Sequence, residues 1–197
     1  MNQITNFQGI LKFCAIVIVL HATAYGQVSI NEFLASNVAN IADPQYNEYS
    51  DWIELYNAGA ASVNISGWYL ADQQGTVPGW RLPANTIIQP RGFLLIWADG
   101  RNTGLHTDFK LSAGGEEVVL YDDQSVMKDD IIFDAQKQDI SYGRKTNGGT
   151  PWGLFTSPTP GSSNNNSRFY SSSVEQVPVF SISGGFYNGP VNVLIED

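Results

Sequence analysis

The run Trp52-Ile53-Glu54-Leu55-Tyr56-Asn57, followed at short intervals by Ile65-Ser66-Gly67-Trp68-Tyr69-Leu70-Ala71-Asp72 and Phe93-Leu94-Leu95-Ile96-Trp97-Ala98-Asp99, constrains the fold more than any other part of the chain. Each stretch is β-branched and aromatic and closes on Asn or Asp, as a strand running into a turn does. No helical periodicity separates them, so the expectation is an all-β sandwich of short strands.

Alternation in Val28-Ser29-Ile30-Asn31-Glu32-Phe33 sets Val28 and Ile30 on one face and Ser29 and Asn31 on the other. Ser36 to Ser50, rich in Asn, Asp and Tyr, reads as a surface loop. In the next strand Ile53 and Leu55 are assigned to the core, with Trp52, Glu54 and Tyr56 on the opposite face. A single strand is expected over Val63 to Ala71, and short extended pieces at Trp80 to Pro83 and Thr86 to Ile88. The nearly all-apolar Phe93 to Ala98 predicts a central strand covered on both faces. Leu105 to Leu111 and Glu116 to Tyr121 read as a hairpin, Ile131 to Phe133 as a strand, and Ile140 to Arg144 as the last one. Thr156-Ser157-Pro158-Thr159-Pro160-Gly161 then closes the domain.

The two ends differ from this body. Lys12, the apolar Phe13 to Leu20 and the small residues Ala22, Ala24 and Gly26 form an export-signal pattern over 1–26, too short for a membrane span and removed on maturation. Cleavage after Gly26 makes Gln27 the new terminus, with Ala24 as the second candidate site. The body is therefore assigned to 27–164, followed by a Ser- and Asn-rich polar linker over 165–177. Residues 178–197 carry two β-rich pieces around Gly184-Gly185-Phe186-Tyr187-Asn188-Gly189-Pro190. Two strands make no independent core in water, so the expectation is the start of a second, truncated β-module in a longer parent protein.

Composition narrows the function. The formal net charge is −9, one unit more negative once the leader bearing Lys12 is removed, and the basic residues form no run. Binding to phosphate backbones or acidic membranes relies on clustered Lys and Arg, so nucleic acid is an unlikely partner and no span is expected in the mature chain. The one cysteine, Cys14, lies in the leader, which removes disulfides, thiol nucleophiles and Cys metal sites.

Catalytic and metal candidates are weighed and set aside. His106 with Asp108 could be drawn as part of a serine triad, but a solvated strand-edge histidine is the expected role. Zinc sites take three or four His, Cys or carboxylate ligands, and a chain with one mature histidine is not expected to supply the usual set. Asp43, Asn47, Glu48 and Asp51 in one loop, with the pairs Asp122-Asp123 and Asp129-Asp130, offer oxygen ligands for calcium. They lack the spacing of the regular calcium loop and read as solvated turn carboxylates. Glu32, Glu54, Glu116 and Glu117 are the glycosidase-type candidates, without an evident cleft. Trp68 and Trp97 are assigned to the core, while Trp80 and Trp152 at loop margins and Trp52 opposite the core are candidates for a sugar-binding platform, with core or interface packing the expected role. Gly143, Gly148 and Gly149 lack the strand-to-helix setting of a phosphate loop. The chain is thus expected to hold no catalytic, cofactor-binding or metal-binding residues.

Ile30-Asn31-Glu32, Asp51 to Asn57, Ser66-Gly67-Trp68-Tyr69-Leu70, Arg81-Leu82-Pro83, Leu95-Ile96-Trp97-Ala98 and Thr159-Pro160-Gly161-Ser162-Ser163-Asn164, in this order, resemble the lamin tail domain over about Val28 to Asn164. The resemblance implies an immunoglobulin-like β-sandwich, and the leader in front of it implies the bacterial exported type. Pro178-Val179-Phe180-Ser181 with Gly184-Gly185-Phe186-Tyr187 resembles the opening of a chitobiase C-terminal-like β-module. Together they imply a noncatalytic exported interaction or adhesion module of a larger secreted, periplasmic or surface protein, with a protein or cell-surface ligand. The alternatives are the accessory region of an extracellular enzyme, a spore-coat (CotH) type kinase or a hydrolase, with its catalytic domain beyond residue 197, or a carbohydrate-binding module for polysaccharide.

Overall fold

Short β-branched and aromatic segments broken by Asn, Asp, Gly and Pro build two stacked sheets in the computed structural model, which describes residues 27–76, 79–171, 179–180 and 195–196. The strands are β1 (Val28–Leu34), β2 (Trp52–Asn57), β3 (Val63–Asn64), β4 (Tyr69–Ala71), β5 (Trp80–Arg81), β6 (Ile87–Ile88), β7 (Phe93–Trp97), β8 (Gly115–Tyr121), β9 (Met127–Asp134), β10 (Ser141–Arg144), β11 (Trp152–Phe155) and β12 (Phe169–Ser171). One sheet has the order β12-β11-β10-β1-β2-β7 and the other β5-β4-β8-β9, with β3 and β6 as a separate pair. Pairings between these strands are antiparallel. Ile30, Ile53, Leu55 and Ile96 of the first sheet pack with Leu70, Val118, Leu120 and Phe133 of the second in one core. The rings of Phe33 and Phe133 meet at 4.4 Å across it. This is the expected immunoglobulin-like sandwich, and its apolar filling is the main favourable term in its stability.

Several local expectations are corrected. β2 is buried on both faces, because it lies between β1 and β7 and its second face is covered: Trp52 packs with Leu34 and Trp97 under Ile41 of the β1–β2 loop. β7 is an edge strand, half-buried over Phe93 to Leu95, and not central. The single strand expected over Val63 to Ala71 is split by a turn at Ser66-Gly67, where Gly67 has φ +79°, a left-handed conformation that side chains disfavour. Leu105 to Leu111 makes only isolated bridges, and β8 forms its hairpin with β9 instead. β10 is not the last strand, since β11 and β12 extend the sheet. β12 lies in the stretch that reads as polar linker, so the sheet runs past Asn164. The leader, 1–26, lies outside the described residues, as does most of 178–197, where β13 (Val179–Phe180) pairs with β14 (Ile195–Glu196).

One irregularity in β1 organises the polar interior. Ile30 pairs with Leu55 and Glu32 with the adjacent Glu54, leaving Asn31 as an extra, bulged residue. The bulge reverses the alternation, so Phe33 rejoins Ile30 in the core and Glu32 turns to the face that carries Glu54. The backbone of Ile30 is satisfied by side chains: its N–H donates to Asp129 Oδ2 at 2.8 Å and its carbonyl accepts from Arg144 Nε at 2.7 Å. Arg144 Nη2 closes the loop with both oxygens of Asp129 at 2.8 Å.

The turned-out carboxylates are then covered by the chain end. Glu32 accepts from the hydroxyls of Ser141 and Thr159 and from the Thr159 N–H. Glu54 accepts from Asn31 Nδ2 at 2.9 Å and from the Gly161 N–H at 2.6 Å. Asn31 Nδ2 also donates to Asn164 Oδ1 at 3.1 Å, and Asn164 Nδ2 to the Arg144 carbonyl at 2.9 Å. Gly143, opposite Glu32 in β10, leaves room for it: a Cβ there would lie 2.9 Å from Glu32 Cγ. Burial pushes Glu54 up to about 8, with the adjacent Glu32 raising it further against the bonds from Asn31 and Gly161. Burial raises Glu32 as well, opposed by Ser141 and Thr159.

Two expectations follow. A carboxyl raised in the folded state holds a proton that the unfolded chain has released. Stability from Glu54 is therefore fully present below its ordinary 4.5 and lost as pH rises through about 8. Gln mimics the neutral acid, so the Glu54→Gln protein should unfold in urea close to the wild type near pH 5 and be the more stable of the two near pH 9, where the difference is on the order of a few kcal/mol. Equal pH slopes for the two proteins would refute this. Arg144→Ala should cost about 3–5 kcal/mol by the same measurement, because it strands the Asp129 carboxylate and the Ile30 carbonyl in the interior.

Candidate functional site

The long β1–β2 loop, residues 35–51, and the β7–β8 connection meet at one end of the sandwich, and local polar residues fix both. Asn37 Nδ2 donates to the carbonyls of Ile41 and Ser50 at 2.7 and 2.8 Å, while its N–H donates to Asp51 Oδ1 at 2.8 Å. Asp139 Oδ1 accepts from the N–H groups of Val38 and Ala39, which hold its carboxyl below the ordinary value. Asp43 organises a tight turn, with its N–H donating to the Glu48 carbonyl, its carbonyl accepting from Asn47 and its Oδ1 accepting from the Gln45 N–H. Asn47 takes φ +56°, a left-handed conformation that asparagine tolerates.

The β7–β8 connection folds back on this turn. Thr107 N–H donates to the Trp97 carbonyl and Trp97 N–H to that of Leu105, which draws His106 under the loop. His106 is 2% exposed. Its Nδ1 lies 2.8 Å from Asp99 Oδ2, and its ring meets Tyr46 edge-on at 5.0 Å. Arg101 bridges Asp99 Oδ2 at 2.7 Å and Glu48 Oε2 at 2.8 Å, with its guanidinium 4.2 Å from the centre of the Tyr46 ring. Burial works to raise the Asp99 carboxyl, but the bonds from His106 and Arg101 outweigh it and hold the group below its ordinary value.

Beside this cluster opens a polar pocket of about 470 Å³ whose walls include Asn37, Tyr49, Asp51, Asp99, Arg101 and Lys110. Burial raises Asp51, partly offset by the Asn37 N–H and the charge of Lys110. Tyr49 is half exposed at its rim. The pocket offers both signs of charge and an aromatic face on elements fixed by their own hydrogen bonds. Those are features of recognition, with a rigid scaffold presenting functional loops.

The sequence candidates are distributed as follows. His106 is buried and not a solvated strand-edge residue, and its partner is Asp99, while Asp108 is exposed. Asp43, Asn47, Glu48 and Asp51 do not converge: Glu48 serves Arg101, Asp51 caps Asn37, and Asp43 and Asn47 share a turn. Asp122 closes the β8–β9 hairpin and pairs with Lys128 at 2.6 Å, with Asp123 exposed beside it. Asp129 is committed to Arg144, and Asp130 is exposed. Glu32 and Glu54 are adjacent but sealed, while Glu116 and Glu117 bond the N–H groups of Ser112 and Gln74. Trp52, Trp80 and Trp97 are buried, Trp68 is half-buried, and Trp152 stacks on Tyr142 at 5.5 Å. The burial of Trp52 and Trp80 agrees with packing and not with a sugar platform, because Ile41 covers the first and the core takes in the second. Sequence reasoning missed Asp99 and Arg101. No local pattern marks them, since the fold-back of the β7–β8 connection creates their roles.

No curated protein matches the chain. A model of the lamin tail domain family matches residues 21–134, which take in β1 through β9 and both loops of the pocket. With that match over more than half its length, and with the resembling motifs gathered into one immunoglobulin-like sandwich, the chain belongs to the lamin tail domain family.

Proposed function

We propose that this chain is a noncatalytic interaction module of a larger exported protein, holding a protein or cell-surface ligand in the pocket between the β1–β2 loop and the β7–β8 connection. The observation that carries the reading is the pocket itself: about 470 Å³, of mixed charge, with Tyr49 at its rim and walls fixed by Asn37, Asp51 and Asp139. A prearranged surface of this kind binds without first paying the entropy of ordering its loops. The carboxylates that could serve an acid–base pair, Glu32 and Glu54, are spent on internal hydrogen bonds. None of the five tryptophans offers an exposed flat face among the described residues, which favours a protein ligand over a polysaccharide. Export rests on the leader pattern of 1–26. The chitobiase-like reading of 178–197 and a catalytic domain farther along remain features of the proposed parent protein.

Two measurements test this. Mass spectrometry of the product secreted by a bacterial host should find a mature terminus at Gln27 or Tyr25, and an unprocessed, retained chain would defeat the export reading. The purified chain, probed against arrays of surface proteins and peptides alongside arrays of polysaccharides, should bind on the protein side. Tyr49→Ala and Lys110→Ala should each weaken that binding about tenfold, the effect of losing roughly 1.4 kcal/mol of contact. Binding confined to polysaccharides, or indifferent to both substitutions, would overturn the reading.

A further inference from the structure

We propose that Asp43 and His106 hold a divalent transition-metal ion of the zinc class, with Asp99 as the positioning residue behind the histidine. Asp99 Oδ2 lies 2.8 Å from His106 Nδ1, and a carboxylate can only accept, so Nδ1 carries the hydrogen. On a neutral ring the lone pair of Nε2 then faces the other way. What it faces is Asp43 Oδ2, a second acceptor, 3.9 Å off. Asp43 is 1% exposed, and this oxygen has no hydrogen-bond partner among the described residues. Two acceptors confronted in the interior are a costly arrangement unless something positive lies between them.

The separation bears on what that is. At 3.9 Å the pair is too far apart for a direct hydrogen bond, whose limit is about 3.2 Å, and a bridging water would set the two atoms about 4.5 Å apart. A zinc-class ion takes imidazole nitrogen at about 2.0–2.1 Å and carboxylate oxygen at about 2.0–2.2 Å, which at a tetrahedral angle sets the donors about 3.4 Å apart, so the 3.9 Å pair closes on one ion by a shift of about half an ångström. Imidazole speaks against calcium or magnesium, which prefer oxygen throughout. A carboxylate behind a metal-binding histidine is the recurring arrangement that fixes the ring and strengthens its donor nitrogen. One donor atom from each of Asp43, Asp99 and His106 lies within 4.8 Å of the others. Charge agrees: Asp43, Asp99 and Glu48 bring three formal negative charges and Arg101 one positive, leaving two for the ion. Water would fill its remaining positions.

Such an ion would tie the β1–β2 loop, through Asp43, to the β7–β8 connection, through His106. These elements form the walls of the pocket, but the inference rests on the buried donor pair and not on what the pocket binds.

The test is a titration of the chelator-treated full chain with zinc chloride, following Tm, with calcium and magnesium chloride as parallel arms. Zinc should raise Tm by several degrees, calcium and magnesium should not, and Asp43→Asn and His106→Gln should each abolish the rise. Asp99→Asn should weaken the zinc response about tenfold without abolishing it. On the unmodified chain, which needs no variant to fold, nitrogen NMR should show zinc shifting Nε2 of His106 while Nδ1 keeps its hydrogen. No zinc response, a response retained in both ligand variants, a preference for calcium or magnesium, or an unmoved Nε2 resonance would each overturn the proposal. None of these results touches the ligand arrays, so the two readings fail separately.

Discussion

The fold depends on one extra residue in its first strand. Without the bulge at Asn31, Glu32 would follow Ile30 into the apolar interior, and its carboxylate would face the ring of Phe133 with no donors to meet it. With the bulge, Glu32 and Glu54 stand side by side on the outer face of the sheet. Two neighbouring acids on a sheet repel each other and lose hydration when covered. They are tolerable only because Asn31, Ser141, Thr159 and Gly161 supply donors in fixed positions. The bulge thus makes the segment Thr159 to Asn164 necessary, and that segment in turn seals it. This explains why motifs as distant as Ile30-Asn31-Glu32, Glu54 and Thr159 to Asn164 belong together in the chain.

The opposite solution operates at the loop end. There the sheet supplies few partners, so the loops carry their own: Asn37 binds three backbone groups, Asp139 two, and Asp43 builds a turn from its own carbonyl, N–H and Oδ1. Ile41 drops from the same loop onto Trp52, coupling the loop to the sandwich. Loops held in this way keep their shape through their own hydrogen bonds, and a surface so prearranged binds at a lower ordering cost.

The sequence made the architecture legible because strand composition and turn residues are local signals. Alternation alone places Ile53 and Leu55 in the core, and they lie there. What failed was anything set by tertiary neighbours. The burial of Trp52 needs Ile41, eleven positions earlier and in a loop, and the parity of β1 changes at Asn31, a bulge that no turn residue announces. Phe93 to Trp97 reads as a central strand because it is apolar, yet its covering comes from packing at an edge. The site was the least legible part. His106 looks like a loop histidine until Trp97 pulls it inward through Thr107 and Leu105, and Asp99 acquires a role only once that ring arrives.

The acidic residues therefore divide into two populations with different physical fates. Glu32, Glu54 and Asp129 are each met by donors from at least two other strands or connections, so altering them alters the fold before it alters anything else. Asp43, Asp51 and Asp99 sit on two loops, and there the accounts do not close, because Asp43 keeps a buried oxygen without a donor and Asp51 and Asp99 open onto a pocket. A folded chain keeps unmet polar capacity in its interior only at a free-energy cost of about 1–3 kcal/mol per group. Asp43, Asp51 and Asp99 thus bring buried or pocket-lining polar capacity to the loop end, and the sheets hold that end in place.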